Sequence, residues 1–556
     1  MKRQGSGSRS SEGYLIRDKC SNCRRRKIKC DAERPRCGPC SRSKIFEDCE
    51  YPEDGPTKTQ ILEDQISIIE GRIQELETPK ALKTTPLPNN PSGSGSRSLT
   101  LSSSFCRSLR SGPSGTPSEG VPWVELESLI QNFLLHASQF GFFLNVHRFS
   151  QSILNGNGPS PTPILLDVIS LCAIHFSNSN WITYEPTYFA RALSSAADAL
   201  SGTHSQNTVL HSIQAAVLLS QYFAHNARFL EAKCRLGAAV SLALGSGLHR
   251  IRSLDSSSVR NSTGRTGSGR QLSPPRDVIE EAEHINALWT VLTLDSCWTI
   301  ADGSPSNIPP DVRIDSPWPL DINSPDFHSQ IMLLPDTSFG TVTAFLAGLP
   351  DSGSSVSALH AKAAILFEQA SRLAARYRSD TLTAPMPRAH AGLNNYALNQ
   401  FYISFNTVDT LIEAFKLNIP PTRLHPTREI LVIQSLAQAA TIQLHNPFVG
   451  EGDASRLRVL DAAHAIVGCL ELMPVNEFVF MNPIMGTLLM ATCQVFIAEL
   501  TRLRRHRHRA FFGQASGEHS IMNAIDMVLA VMSVFAPRCQ IMDSQLRAVQ
   551  QLYQGV

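Results

Sequence analysis

Nowhere does the chain hold an apolar run of the ~18 uninterrupted residues that a membrane-crossing helix needs, so a soluble protein with no membrane partner is expected. The N-terminus, Met1-Lys2-Arg3-Gln4-Gly5, lacks the apolar core of an export signal, which argues against a secreted disulfide scaffold. Also missing are G-x-G-x-x-G, the P-loop G-K-[ST] and H-E-x-x-H, so neither a phosphate-cradling loop nor a zinc-protease helix is expected. Asp295 and His249 could each be cast as acid or base, but neither has an evident partner, and a cap or a satisfied polar contact is the simpler role. No catalytic residue, and therefore no enzyme, is expected. Strand-like alternation is scarce, and no internal repeat is evident. Cysteine is sparse beyond the first fifty residues, where Cys106, Cys172, Cys234, Cys297, Cys469, Cys493 and Cys539 stand singly. Most have apolar neighbours, as in Leu171-Cys172-Ala173, and behave as small hydrophobes in a reducing compartment.

The remaining six cysteines fall between Cys20 and Cys49 in the pattern C-x2-C-x6-C-x6-C-x2-C-x8-C. A C-x2-C pair lets one tight turn place two thiolates on a tetrahedral zinc, and the segment has two, Cys20/Cys23 and Cys37/Cys40. Two tetrahedral ions can use all six sulfurs only if two sulfurs are shared. Metal must supply the folding energy here, because Ile28, Ile45 and Phe46 are the only large apolar side chains between Cys20 and Cys49. Zinc binding of roughly 10–16 kcal/mol substitutes for a hydrophobic core in modules this small.

Between the second and third cysteines lies the cationic run Arg24-Arg25-Arg26-Lys27-Ile28-Lys29. The first fifty residues carry 14 Lys/Arg against 7 Asp/Glu, a net of +7, whereas the remainder carries 36 against 41, a net of −5. The overall +2 conceals this polarity. A phosphate backbone attracts such a patch, and counterion release makes the affinity fall with salt.

The cysteine pattern, the basic run after the first pair and Pro35 before the fourth cysteine resemble the fungal binuclear zinc-cluster DNA-binding domain. That resemblance implies two zinc ions per chain, with Cys20 and Cys37 as bridging sulfurs. Cys20, Cys23, Cys30 and Cys37 would hold one ion, and Cys37, Cys40, Cys49 and Cys20 the other. It also implies a short helix whose end enters the major groove, placing Arg26 and Lys27 on the bases of a CGG triplet. Arg26 departs from the lysine of the best-known members but remains a donor to guanine. Arg24, Arg25, Lys29 and Arg36 are expected on phosphates, which position without specifying.

Leu62, Ile66, Ile69, Ile73 and Leu76 recur at spacings of four and three, the seam of a coiled coil. With Ile66 and Ile73 at a positions, a parallel pair of helices is favoured, bracketed by Pro56 and Pro79. A homodimer is expected, although an amphipathic helix docked on the chain's own body would show the same pattern. Ser, Gly, Pro and Thr then dominate to about residue 120, reading as a flexible tether.

The rest is apolar enough for a large core, and its apolar residues repeat at helical spacing. Ala232, Leu236, Val240 and Leu244 form one stripe, and Ile285, Leu288, Trp289 and Leu292 another. Further helices are expected around 125–140, 164–176, 188–200, 207–224, 357–378, 395–417, 427–444, 455–473, 484–505 and 520–548. The run Arg502–Arg509 reads as a solvated helix end or an import signal. Phe229-Leu230-Glu231-Ala232 through Gly247-Leu248-His249-Arg250, together with Glu283 to Leu320, resemble the fungal-specific transcription-factor domain, or middle homology region. In that family this all-α region regulates activity through small molecules or partner proteins.

The expected organisation is a mainly α chain. It comprises a disordered N-terminus (1–19), a binuclear zinc-cluster head (20–50), a linker (51–60), a coiled-coil helix (61–78), a disordered tether (79–120) and an all-α regulatory domain (121–550) with a disordered insert (253–276). The expected function is a nuclear, sequence-specific transcription factor of RNA polymerase II genes. It would bind double-stranded DNA and work with transcription machinery or co-regulators and a possible small-molecule effector. The competing reading is a zinc-containing scaffold that binds protein or RNA.

Overall fold

In the computed structural model the described residues are 20, 23, 27–31, 33 and 36–42 near the N-terminus, then 120–154, 160–177, 180–199, 206–254, 272, 274–378, 391–450, 452–507 and 515–556. The chain divides into two compact units, Met1–Ser98 and Leu99–Val556. In the first, one four-residue helix, α1 (Gly38–Ser41), starts with Pro39 in its first turn, where a missing N–H costs nothing. The expected coiled coil, with Leu62, Ile66, Ile69, Ile73 and Leu76, lies outside the described residues, as does the tether up to residue 119.

The larger unit is helical, with no strand among the described residues beyond one isolated bridge, Ser253 to Ser338. Its first half runs through α2 (Trp123–Leu134), α3 (Val146–Leu154), α4 (Pro163–His175), α5 (Glu185–Asp198), α6 (Gln206–His225), α7 (Phe229–Gly245) and α8 (Val278–Asp302). The second half holds α9 (Phe327–Met332), α10 (Thr341–Leu346), α11 (Val356–Arg378), α12 (Ala391–Asn418), α13 (Arg428–His445), α14 (Asp453–Glu471), α15 (Ile484–Arg507), α16 (Ala515–Phe535) and α17 (Gln540–Gln554).

Local chemistry sets the helix limits. Asp277 caps α8 by accepting from the Ile279 and Glu280 N–H groups at 3.0 and 2.9 Å. Gly303 ends it in the left-handed conformation at φ 69°. Helix α8 is buried along most of its length, from Ile285 to Trp298, and packs on α6, α7 and α11. Trp289 anchors it by donating from Nε1 to the Pro317 carbonyl at 2.6 Å and stacking on Trp318 at 4.5 Å. Helix α13 is the corresponding axis of the second half, packed on α11 and α14. One continuous apolar cluster joins both halves.

Several sequence expectations need correction. The helix expected over 520–548 is two helices, because Pro537 has no N–H to donate and turns Ala536–Arg538 into a 3-10 segment. The short helices α3, α9 and α10 were not expected, being only 9, 6 and 6 residues long. Ile484–Arg505 and Gly517–Arg538 contain 18-residue windows of mean hydropathy 1.5 and 1.6, apolar enough by composition to cross a membrane although no run is uninterrupted. In the fold they carry core side chains, including Leu488, Phe496, Ile525 and Met532.

The expected insert begins at a held residue. Ser253 is buried and donates to Asp315 Oδ2 at 2.7 Å. At its other edge Arg276 pairs with Glu280. Residues 255–271 lie outside the described residues.

Candidate metal centre and nucleic-acid interface

Four head cysteines, Cys20, Cys23, Cys37 and Cys40, are fully buried although almost no apolar side chain surrounds them. Their sulfurs converge. Cys20 Sγ lies 3.6 Å from Cys37 Sγ and 3.8 Å from Cys40 Sγ, and Cys23 Sγ lies at 3.6 and 3.8 Å from the same two. A tetrahedron with the usual Zn–S bond of about 2.3 Å has sulfur–sulfur edges of about 3.8 Å. The sulfurs therefore already sit at zinc-ligand separation. Cys20, Cys23, Cys30 and Cys37 lie within 4.8 Å of one another, a complete four-sulfur set. Cys40 joins that set at 3.8 Å from both Cys20 and Cys23, so the described sulfurs form one continuous cluster rather than two separate sites. Cys49 lies outside the described residues.

Burial opposes the thiolate at Cys20 and Cys37, and backbone N–H groups favour it. The Cys23 N–H donates to Cys20 Sγ at 3.4 Å. Burial opposes thiolate formation at Cys37, but the Cys40 N–H and neighbouring thiols outweigh it and lower the group to about 6. Burial pushes the Cys20 thiol up to about 11 and raises Cys23 as well. A bound cation reverses such penalties, since it takes the thiolate and releases the proton.

A latch that was not foreseen in the sequence closes the loop between the third and fourth cysteines. The Gly38 N–H donates to both carboxylate oxygens of Asp31, at 3.1 and 2.9 Å, and the Glu33 N–H reaches Oδ1 at 3.4 Å. This draws the Cys37/Cys40 turn onto the residue following Cys30. A Cβ at Gly38 would press on Asp31 Oδ2, so a larger residue there must displace the carboxylate from the latch. The only sequence-level hint was a glycine inside a C-x2-C pair.

The cationic run follows the buried Cys23, and its described part begins at Lys27. Lys27 has φ 53°, left-handed and rare for a residue with a Cβ. The Ile28 N–H donates to the Cys23 carbonyl at 3.1 Å, the six-to-one bond that closes a helix C-terminus. Lys27 thus stands exposed in a closed turn, four residues from a buried sulfur. Lys29 is exposed and Arg36 half-buried, whereas Arg24, Arg25 and Arg26 lie outside the described residues.

No comparable chemistry assembles around the residues considered for catalysis. Asp295 is buried and anchors a loop, accepting from Ser306 Oγ at 2.5 Å and from the Asn307 backbone and amide at 3.1 and 2.6 Å. His249 has a buried Nδ1 without a hydrogen-bond partner, and its carbonyl accepts from the Asp315 and Ser316 N–H groups. Arg502 in the basic run pairs with Glu499, and Leu503 is buried, so that segment is the end of α15.

Comparison with known families agrees with this chemistry. Residues 19–58 match the fungal Zn(2)-Cys(6) binuclear cluster domain, which binds two zinc ions, and residues 130–341 match the fungal specific transcription factor domain. Neither is a family of enzymes. No curated protein and no solved structure matches the chain. A sulfur cluster at zinc-ligand spacing beside exposed Lys27 and Lys29, followed in the chain by a large helical unit, accords with a chain that carries a fungal binuclear zinc-cluster domain over residues 19–58 and a fungal specific transcription factor domain over residues 130–341.

Proposed function

We propose that the chain is a nuclear, sequence-specific DNA-binding regulator of genes read by RNA polymerase II, acting as a homodimer on paired CGG-like triplets. The carrying observation is Lys27. Its left-handed backbone spends conformational energy to hold an exposed cation next to Ile28, whose N–H is bonded to the carbonyl of the buried Cys23. Arg26 and Lys27 donate to guanine O6 and N7 in this reading, while Arg24, Arg25, Lys29 and Arg36 neutralise phosphates. Cys20 and Cys37 bridge the two ions, with Cys23 and Cys30 completing one tetrahedron and Cys40 and Cys49 the other. The convergence of Cys20, Cys23, Cys37 and Cys40 at 3.6–3.8 Å supports a cluster with shared sulfur, and the choice of Cys20 and Cys37 as bridges follows the family resemblance.

Leu62, Ile66, Ile69, Ile73 and Leu76 pair two chains, and residues 51–60 set the distance between half-sites. The helical body is a regulatory module that answers to a small-molecule effector or to co-regulators. A mobility-shift titration tests the reading. Retention of a paired CGG duplex, with loss of the scrambled duplex at the same salt, is expected. Equal retention of both probes would leave a nonspecific or scaffold role.

A further inference from the structure

The helical body encloses a cavity of about 390 Å³ bounded by α6, α8, α11, the first turn of α13 and the loops at 138–143 and 319–324. Pockets of roughly 300–1,000 Å³ hold ordinary small molecules. Phe142, Phe143, Trp289, Leu294, Leu320 and Ile322 make its apolar walls. Its polar side chains are unevenly satisfied, and that unevenness specifies a ligand.

Glu429 on α13 takes hydrogen bonds from Ser138 Oγ at 3.0 Å and Gln139 Nε2 at 2.7 Å, both on Oε1. Neither donor is a cation, and Glu429 forms no ion pair among the described residues. Its neighbour Arg428 attracts it through space but spends its hydrogen bonds elsewhere, on His136 Nδ1 at 3.0 Å and the Phe480 carbonyl at 3.3 Å. Asp321, the other carboxylate of the lining, is already committed. It accepts from the Val356 and Ser357 N–H groups at 2.8 and 3.0 Å and from Ser357 Oγ at 2.7 Å, capping α11.

His360 faces the cavity beside Glu429 and makes no hydrogen bond among the described residues. Burial lowers it to about 4, so it contributes no positive charge at neutral pH. Gln221 is 1 % exposed and its Nε2 has no acceptor. No lysine or arginine lines the space. A half-enclosed carboxylate facing a cavity without a counter-cation attracts positive charge and repels negative.

We propose that this cavity binds a small organic amine. Its apolar body lies against Phe143, Trp289 and Leu320, its protonated nitrogen donates to the open Glu429 oxygen, and an acceptor atom takes the Gln221 amide. Because the ligand would touch α6, α8 and α13 together, its binding ties the two halves of the body. This deepens, and rests on, the reading of that body as an effector-sensing module.

Isothermal titration of the zinc-loaded full chain with phenethylamine, phenethyl alcohol and hydrocinnamate tests it. The amine is expected to bind saturably and the carboxylate at least roughly tenfold more weakly, about 1.4 kcal/mol. In Glu429→Gln the amine should fall by about tenfold to the level of the alcohol, with the alcohol unchanged within about twofold. Equal binding of amine and carboxylate by the wild-type chain, absence of saturable amine binding, or an unchanged amine preference in Glu429→Gln would each overturn the proposal. The wild-type comparison stands even if the variant folds poorly. Because titration contains no DNA, its failure leaves the mobility-shift result, and the DNA-binding reading, standing separately.

Discussion

Lys27 carries two demands that substitution can separate. A left-handed residue with a Cβ costs about 1 kcal/mol or more relative to glycine, so Lys27→Gly relieves the backbone while deleting the cation. The zinc head of this variant should resist chelator at least as well as the parent. Its affinity for a paired CGG duplex should drop by about 1–3 kcal/mol, the worth of one good base contact. A mobility shift run beside a chelator titration checks both halves, and undiminished specific binding would remove Lys27 from the base edge. The cysteines divide in the same way. Cys37→Ser strikes a proposed bridging ligand and should lose more metal than Cys49→Ser, whereas equal zinc content in the two purified variants would contradict the sharing.

Loops and caps, rather than helices, decide the local limits of the structure. Gly38→Ala pushes a methyl group into the Asp31 carboxylate. Overpacking of that kind costs about 1–3 kcal/mol, and here it opens the latch that holds the second cysteine pair. Faster zinc release to chelator is expected, with helix content of the body unchanged. In the body, Asp315 is 1 % exposed and ties Arg313, Ser253 and the Gly340 N–H together at 2.7–3.0 Å. Burial opposes its ionisation, but Arg313, the Gly340 N–H and Ser253 outweigh it and hold the carboxyl below its ordinary range. A depressed carboxyl stabilises the fold above its unfolded pKa of about 3.9, and that contribution disappears as pH falls through the lower folded value. Asp315→Asn should therefore be less stable at neutral pH and lose less on acidification. Urea midpoints of the chain at neutral and acid pH would show this, and parallel pH dependence in variant and parent would contradict it.

At the scale of the whole molecule, charge and composition pointed to a cationic, cysteine-rich head and an apolar helical body, and the described residues hold a sulfur cluster in the first unit and a large all-α region in the second. The six cysteines were legible because metal ligation fixes residue type and spacing along the chain, and Cys20, Cys23, Cys30 and Cys37 do converge. The stripes around Leu236 and Trp289 were legible because helical burial repeats on a fixed period, and both lie in the core. The break at Pro537 was written in the sequence but was hidden by the apolar run on either side. The Asp31–Gly38 latch and the cavity of Gln221, His360 and Glu429 were not legible, because their residues meet only through tertiary packing and follow no local period.

The proposed cluster of shared sulfur is what would make an almost coreless head rigid enough to aim a cation. Elemental analysis of the purified, reduced chain tests this directly. Two zinc ions per polypeptide are expected, and a value of one, satisfied by Cys20, Cys23, Cys30 and Cys37 alone, would contradict it.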